Sequence, residues 1–113
     1  MKKSYYAIIP AYVRYDKTLT PNAKLLYGEI TALCNEKGYC FATNKYFSDL
    51  YSVSNTSISK WISQLKDSGY IKIKMLYKEN SKEIESRQMY LTNFQEVLKK
   101  SSRGIEEKLK DNN

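Results

Sequence analysis

The fold is decided by residues 43–70, which read TNKYFSDLYSVSNTSISKWISQLKDSGY. Thr43 is a favourable N-cap for a helix over residues 44–51. After a short break, Ser54 offers an N-cap for a second helix, and Gly69 ends it. The apolar residues of the second helix recur at the i, i+3, i+4 and i+7 spacing of one buried face, namely Ile58, Trp61, Ile62 and Leu65. The stretch therefore predicts two short helices joined by a tight turn.

The residues after this helix pair change from a helical period to a period of two. Residues 70–75 alternate apolar side chains with Lys72 and Lys74, as expected of a strand with one face in solvent. We expect the apolar members to be buried, namely Ile71, Ile73 and Met75. A charged stretch over residues 78–87 precedes a second, short strand at 88–91. The two strands and their charged loop together predict a wing.

A longer helix precedes this region. Thr20 and Pro21 start it, an apolar stripe follows, and Gly38 suits its left-handed C-cap. Residues 39–42 are a short β-prone stretch. The order of elements predicts a mainly α protein with a small β-sheet, a winged helix-turn-helix. We assign residues 1–19 to an extended N-terminal arm, 20–91 to the winged-helix domain, and 92–113 to a helical or disordered C-terminal tail.

The composition argues against catalysis and favours an anionic partner. The 113 residues contain no histidine, and 19 basic residues outnumber 12 acidic ones for a net charge of +7. The commonest general base and metal ligand is therefore missing, and Cys34 and Cys40 form no CxxC motif. We expect no enzyme activity, no cofactor and no metal site. Because the sequence shows neither an apolar membrane span nor a signal peptide, we expect a cytoplasmic protein that does not bind membranes.

The positive charge is unevenly distributed along the chain. Residues 21–53 hold three basic and three acidic residues, whereas most of the excess lies in residues 1–20 and 54–91. The second of these segments contains the helix and the wing with which a winged helix approaches a phosphate backbone. The distribution therefore favours double-stranded DNA as the partner.

The second helix of the pair carries the residues that we expect to read DNA. Its core-facing stripe leaves the N-terminal and outward residues for the major groove. Amide side chains can pair with adenine, hydroxyls read bases less specifically, lysine pairs with phosphate, and the helix N-terminus favours a phosphate oxygen. The candidates are Ser54, Asn55, Thr56, Ser57, Ser59, Lys60, Ser63 and Gln64. The Ser, Asn and Thr residues at the start are also what any N-cap and first turn use, so capping alone is the alternative interpretation.

The wing supplies the basic candidates for phosphate and minor-groove contacts, which are Lys72, Lys74, Lys78, Lys82 and Arg87. Lysines on a strand also serve merely to discourage edge pairing. Three glutamates dilute the positive potential of the wing, namely Glu79, Glu83 and Glu85. With so few base-reading residues in one copy, we expect specific binding to need a dimer or repeated sites.

Four of the eleven tyrosines fall in the N-terminal arm, namely Tyr5, Tyr6, Tyr12 and Tyr15. Tyrosines can stack on the bases of single-stranded nucleic acid. The alternative, which we favour, is that the arm covers the core or forms a homodimer.

Residues 16–30, which read DKTLTPNAKLLYGEI, carry a resemblance to a known family. Together with Ile9-Pro10 before them and Gly38-Tyr39-Cys40 after them, they resemble the winged-helix N-terminal domain of phage and plasmid replication initiators, or replisome organisers, of low-GC Gram-positive bacteria. Residues 53–65 and Gly69-Tyr70-Ile71 resemble the recognition helix and the entry to the wing of that family.

The resemblance covers about residues 5–91 and implies a domain similar to that of DnaD-type primosome components, which binds iterated sites in a replication origin. It implies that origin DNA is read by Asn55, Thr56, Ser57, Ser59 and Lys60, with Lys74 and Lys78 in support. In that family a separate C-terminal part recruits helicase-loading proteins. Residues 104–113 resemble the beginning of a linker to such a part.

Two other functions stay open. One is a small winged-helix transcriptional regulator, which differs from an origin-binding protein in where its sites lie. The other is a protein-interaction module that binds a host protein, a function that the acidic residues of the wing permit. Mapping the bound sites to an origin or a promoter distinguishes an origin-binding protein from a transcriptional regulator. Unchanged function after Lys60→Glu would favour the protein-interaction module.

Overall fold

The computed structural model describes residues 6–93 and 95. Its elements in chain order are helices α1 (Ala11–Arg14), α2 (Pro21–Lys37), α3 (Asn44–Tyr51) and α4 (Asn55–Asp67), then strands β1 (Ile71–Tyr77) and β2 (Ile84–Leu91). The strands form an antiparallel hairpin, and Cys40 pairs with Met89 of β2 as a single further bridge. The predicted winged helix-turn-helix, mainly helical with a small sheet, is confirmed.

The three longer helices begin at the N-caps that the sequence predicts. In each, the hydroxyl oxygen of the cap accepts a hydrogen bond from a backbone N–H of the first turn: Thr20 from Ala23 (3.2 Å), Thr43 from Tyr46 (3.1 Å) and Ser54 from Ser57 (3.1 Å). At the other end of α2, Gly38 has φ +80°, the left-handed conformation that suits a glycine C-cap. These boundaries follow from contacts within four residues along the chain.

The core lies where α2, α3, α4 and the sheet meet. Leu26 and Ile30 of α2, Phe47 of α3 and Met89 of β2 are fully buried. On α4 the predicted stripe is buried at Ile58, Ile62 and Leu65, and Trp61 packs partly buried against the same cluster. The helical periodicity of the sequence therefore identifies the core-facing sides of α2 and α4 correctly.

The hairpin differs from the prediction in two respects. Because Ile84 pairs with Tyr77, β2 begins four residues earlier than expected and the loop is confined to residues 78–83. Met75 was expected to be buried, and this was wrong: its side chain is 39% exposed. The hairpin extends past the helices that cover its base, so its outer half lacks a covering element.

In the described part of the N-terminal arm, residues 6–10 form neither helix nor strand, and Pro10 has extended backbone angles. The carbonyl of Pro10 accepts hydrogen bonds from the N–H groups of Val13 (3.0 Å) and Arg14 (2.8 Å), which closes the single turn of α1. The prediction of an extended arm is therefore wrong at Ala11–Arg14. Val13 is fully buried and Leu19 is 5% exposed, so this segment belongs to the core. The predictions for residues 1–5 and for most of the tail at 92–113 lie outside the described residues.

Residues 6–10 lie along α2 at Gly28. A Cβ atom at Gly28 would be 3.0 Å from Ile9 Cγ1 and 3.2 Å from Ala7 Cβ. Thr31 Oγ1 accepts a hydrogen bond from Ile8 N (3.3 Å) and donates one to Gly28 O (2.6 Å). A glycine inside a helix costs about 1 kcal/mol relative to alanine, and here it allows the close approach of the N-terminal segment. Of the arm tyrosines, Tyr12 packs partly buried against the core, as does Ile9, whereas Tyr6 and Tyr15 are exposed.

Candidate nucleic-acid interface

The outward face of α4 presents polar side chains to solvent. The helix turns Ile58, Ile62 and Leu65 into the core. Five candidates away from that core face are exposed, namely Asn55, Thr56, Ser59, Lys60 and Ser63, and in the last turn Lys66 and Asp67 are exposed as well. The orientation expected for these five candidates is confirmed. Small hydroxyls and an amide beside one lysine allow close approach to a polar, anionic surface.

The two serines at the start of α4 are engaged in capping. Ser54 Oγ accepts a hydrogen bond from Ser57 N and lies 3.0 Å from Ser57 Oγ. Ser57 is only partly exposed. Their hydroxyls therefore serve the first turn of the helix, which is the alternative weighed for them above. Ser54 remains exposed at the helix N-terminus, where backbone N–H groups favour an anion.

Gln64 lies on the flank of α4 rather than on its outward face. Its Oε1 atom accepts hydrogen bonds from Thr20 N (3.0 Å) and from Thr20 Oγ1 (3.1 Å). Bidentate pairing with adenine needs this same oxygen. In this structure Gln64 therefore joins α4 to the N-cap of α2, and base reading by Gln64 stays a prediction. No local signal reveals this contact, because the two residues are 44 positions apart.

The lysines of the hairpin are all exposed. Lys72 and Lys74 lie on β1, which packs beside α4, and Lys82 lies in the turn. Lys78 forms an ion pair with Glu83, with Nζ 3.0 Å from Oε1. The backbone of the same two residues is also bonded, Lys78 N to Glu83 O at 2.9 Å. An anionic ligand would have to compete with Glu83 for Lys78.

Arg87 is placed differently from the prediction. It was expected in the charged loop as a phosphate contact, but it lies within β2, opposite Met75. Its Nη1 donates to Asn44 Oδ1 and its Nη2 to Ala42 O, both at 2.8 Å. Loss of solvation through burial lowers the pKa of Arg87, which nevertheless stays protonated at neutral pH. Two of its donors are thus used inside the protein.

Two apolar grooves lie between elements of the domain, and the sequence predicted neither. One, of about 190 Å³, is lined by Asn22, Leu25, Tyr51, Val53 and Trp61. Burial raises the pKa of Tyr51 to about 12, so it is neutral at physiological pH. The other, of about 290 Å³, lies between the hairpin and residues 41–44. Each groove combines residues from separate elements, so no local pattern marks it.

The two cysteines, Cys34 and Cys40, are buried small side chains. Both thiols are reduced, and burial raises the pKa of Cys34 to about 11. Cys34 Sγ lies 3.8 Å from Met89 O, near the C-terminal end of β2. In the described part of the chain, no three His, Cys, Asp or Glu residues lie close enough together to hold a metal ion.

Comparison with known families identifies the class of this domain. Residues 17–71 match a family model described as a helix-turn-helix domain. The matched segment starts just before α2, includes α3 and α4, and ends at the first residue of β1. The match covers 55 of the 113 residues and agrees with the helix pair α3 and α4, so this segment has a helix-turn-helix fold, which typically binds DNA.

Searches of curated proteins and of solved structures give no significant match to this chain. Of the helices within the described residues, none has the length and apolarity needed to cross a bilayer.

Proposed function

We propose that this protein binds double-stranded DNA sequence-specifically, with α4 in the major groove and the hairpin against the adjacent backbone. One observation carries the proposal: α4 buries an apolar face and presents a polar, exposed face of amide, hydroxyl and lysine side chains. An α-helix of this kind fits the width of the major groove of B-DNA. The helix-turn-helix match supports DNA as the class of partner.

The side chains of the face have distinct roles in this proposal. Asn55, in the first turn of α4, pairs with adenine, and Lys60 contacts a phosphate or a guanine. The hydroxyls of Thr56, Ser59 and Ser63 add less specific contacts. Three exposed lysines of the hairpin contribute phosphate contacts, which fix the orientation of the domain without reading sequence. These are Lys72, Lys74 and Lys82.

Selection from a pool of random duplexes tests sequence specificity directly. We expect the bound pool to converge on a short motif. Asn55→Ala should relax one position of the motif, at a cost of about 1–3 kcal/mol for the preferred base. A pool that stays random while binding falls steeply with salt would refute sequence-specific binding and leave only electrostatic attraction.

The salt dependence of affinity tests the phosphate contacts. If Lys60, Lys72, Lys74 and Lys82 each neutralise one phosphate, log affinity should fall with log salt with a slope of about −3.6. Lys60→Ala should make this slope less steep by about 0.9. The matched control is Lys17→Ala, because Lys17 is also exposed but lies away from the N-terminal half of α4. Its neighbour Asp16 contacts Tyr70, which follows the C-terminal end of that helix. Equal effects of the two variants would argue against an interface on α4.

The finer part of the proposal is that the DNA is a replication origin of a phage or plasmid. It is supported by the resemblance of residues 16–30 to the replication initiators described above. Mapping the bound sites in cells tests it: iterated sites in an origin are expected, whereas sites in promoters would favour a transcriptional regulator. The helicase-loading partner that the resemblance implies stays a prediction.

A homodimer through the N-terminal segment is also part of the proposal. Tyr6 and Ile8 are 83% and 65% exposed, on a segment that Gly28 and Thr31 hold against α2. If Tyr6 and Ile8 pack against a second copy of the chain, the dimer presents two α4 helices to one DNA molecule. Light scattering during gel filtration should give a dimer mass, and Ile8→Asp should give a monomer. A wild-type chain that is monomeric with and without DNA would refute this part.

A further inference from the structure

Arg87 links strand β2 of the hairpin to the residues that start α3. We propose that it is a positioning residue that sets the angle between the hairpin and α3, so that the hairpin lysines and α4 meet the same stretch of DNA. The DNA part of this inference rests on the proposed function. The structural part, a fixed angle, does not depend on any ligand.

The link joins two elements through a rigid group. Arg87 is in β2, whereas Ala42 and Asn44 flank Thr43, the N-cap of α3. The two Nη atoms of the guanidinium donate to Ala42 O and Asn44 Oδ1, both at 2.8 Å. Because the guanidinium is planar and its two donors are fixed relative to each other, two such bonds hold direction as well as distance. Thr43 and Asn44 start α3, which in turn packs against α4.

The position of Arg87 along the hairpin makes this link decisive for the angle. At the open end of the hairpin, where β1 begins and β2 ends, the pairing of Cys40 with Met89 attaches the hairpin to the rest of the domain. On the side of the tip, the polar contacts of the hairpin are internal, such as the bonds between Lys78 and Glu83. Arg87 therefore lies at the point where the hairpin leaves the body of the domain.

Side-chain packing does little to fix the hairpin beyond this point. A groove of about 290 Å³ separates its outer half from residues 41–44, and Phe41, Met75 and Ile84 line it while remaining partly open to solvent. A close-packed contact would resist bending, because interiors packed to crystal density leave no room for movement. Across an open groove, the two hydrogen bonds of Arg87 have to supply that resistance.

The first test measures the angle without DNA. Spin labels at Glu79→Cys in the exposed turn and Ser63→Cys on the exposed face of α4 report the hairpin-to-helix distance by pulsed electron resonance. The native thiols are buried, and labelling of the unsubstituted protein verifies that they do not react. Arg87→Gln should broaden the distance distribution. Arg87→Lys should broaden it too, since one ammonium group cannot replace the planar pair of donors.

Two further variants complete this test. Asn44→Ala removes one acceptor without changing charge, and it should reproduce part of the broadening. Lys74→Gln, the control, removes an exposed charge on the same hairpin and should leave the distribution narrow. Thermal unfolding of each variant confirms that the labelled protein is folded. An unchanged distribution in folded Arg87→Gln would overturn the inference.

The second test is a double-mutant cycle in DNA affinity. In the wild-type background, Lys82→Ala should weaken binding about fivefold through loss of a phosphate contact. In the Arg87→Gln background the same substitution should have less than about a twofold effect, because a hairpin that is no longer held in place gains little from its lysine. Additive effects, or rescue of affinity by Arg87→Lys, would instead mean that Arg87 contacts phosphate itself and would overturn the inference. Absence of any DNA binding by the wild type would refute the proposed function but leave the spin-label test valid.

Discussion

The helical body and the outer half of the hairpin are stabilised in different ways. In the body, apolar side chains from α2, α3, α4 and β2 are fully buried against one another. In the outer half of the hairpin, Met75, Tyr77 and Ile84 follow the same kind of apolar pattern but stay between 39% and 55% exposed. Strand pairing and a few polar bonds hold that region together. An apolar pattern thus produces a core only where a second element covers it.

This difference predicts where substitutions will be costly. A buried side chain contributes its transfer free energy and fills space that would otherwise be a cavity, whereas an exposed side chain contributes little of either. The body should therefore carry most of the free energy of unfolding. Contacts in the hairpin should matter more for orientation than for stability.

The largest expected effect is that of Phe47→Ala in α3. Phe47 is fully buried at the centre of the core, so its truncation should lower the free energy of unfolding by about 3–5 kcal/mol. The matched variant in the hairpin is Tyr77→Ala, which should change it by less than about 0.5 kcal/mol. Urea titrations followed by Trp61 fluorescence and circular dichroism measure both. Similar losses in the two variants would show that the outer hairpin contributes to the free energy of unfolding as the body does.

A smaller effect is expected at the junction of α4 and β1. The Tyr70 hydroxyl donates to Asp16 Oδ2 at 2.5 Å, so Tyr70→Phe should lower the free energy of unfolding by about 1.5–3 kcal/mol at neutral pH. The measurement is again denaturant unfolding. Asp16 keeps two other donors, Thr18 N (2.8 Å) and Thr18 Oγ1 (2.6 Å), which limits the loss. A change below about 0.5 kcal/mol would show that this hydrogen bond contributes little to the junction.

The same tyrosine predicts a pH dependence. Burial first, and then the hydrogen bond and charge of Asp16, raise the pKa of Tyr70 above its ordinary value. Above about pH 10 the unfolded chain releases this proton while the folded chain retains it, so stability falls as pH rises. Burial also raises the pKa of Tyr27, which adds to the decline. Tyr70→Phe should therefore show a shallower loss of stability between pH 9 and 12 than the wild type, and equal slopes would contradict this assignment.

A contribution of about 1 kcal/mol is expected from the cap of α4. Ser54→Ala removes the acceptor of Ser57 N and should lower the free energy of unfolding by that amount. Ser59→Ala is the control, because Ser59 lies on the exposed outward face and should change stability by less than about 0.5 kcal/mol. Thermal and urea unfolding distinguish the two. If Ser54→Ala leaves stability unchanged but weakens DNA binding, Ser54 is a DNA contact rather than a cap.

The smallest expected effect is in the hairpin. The ion pair of Lys78 and Glu83 is exposed, and its two partners should show a coupling energy of less than about 0.5 kcal/mol in a double-mutant cycle. The cycle combines Lys78→Gln with Glu83→Gln, and unfolding in high salt gives an independent measure because salt screens exposed pairs. A coupling above about 1 kcal/mol would show that the outer hairpin contributes to stability as the body does.

Local sequence rules predicted the helices well and the hairpin less well. The caps at Thr20, Thr43 and Ser54 and the left-handed Gly38 depend on backbone geometry within a few residues, so residue type alone reveals them. The start of β2 was placed too late because its first residues are polar, and pairing with β1 overrides that weak preference. The turn at Ala11–Arg14 was missed because the β-prone residues around Pro10 favour an extended strand.

The candidate site was predictable only in part. The outward residues of α4 follow from its apolar stripe, since burying one face of a helix exposes the other. The contacts of Gln64 and Arg87 could not be predicted because their partners, Thr20 and Asn44, are 44 and 43 positions away. Such pairs form only once the elements pack, and each residue has other chemically reasonable partners in the sequence.

The sequence by itself therefore determined the order of the elements, where the longer helices begin and end, and which face of α4 meets solvent. These properties depend on hydrogen bonds between near neighbours and on helical and strand periodicity. The tertiary structure alone decided that Met75 is uncovered, that Gln64 serves the N-cap of α2, and that Arg87 holds the hairpin to α3. The physical reason is that burial and long-range hydrogen bonding are properties of two surfaces in contact, and a linear pattern describes only one of them.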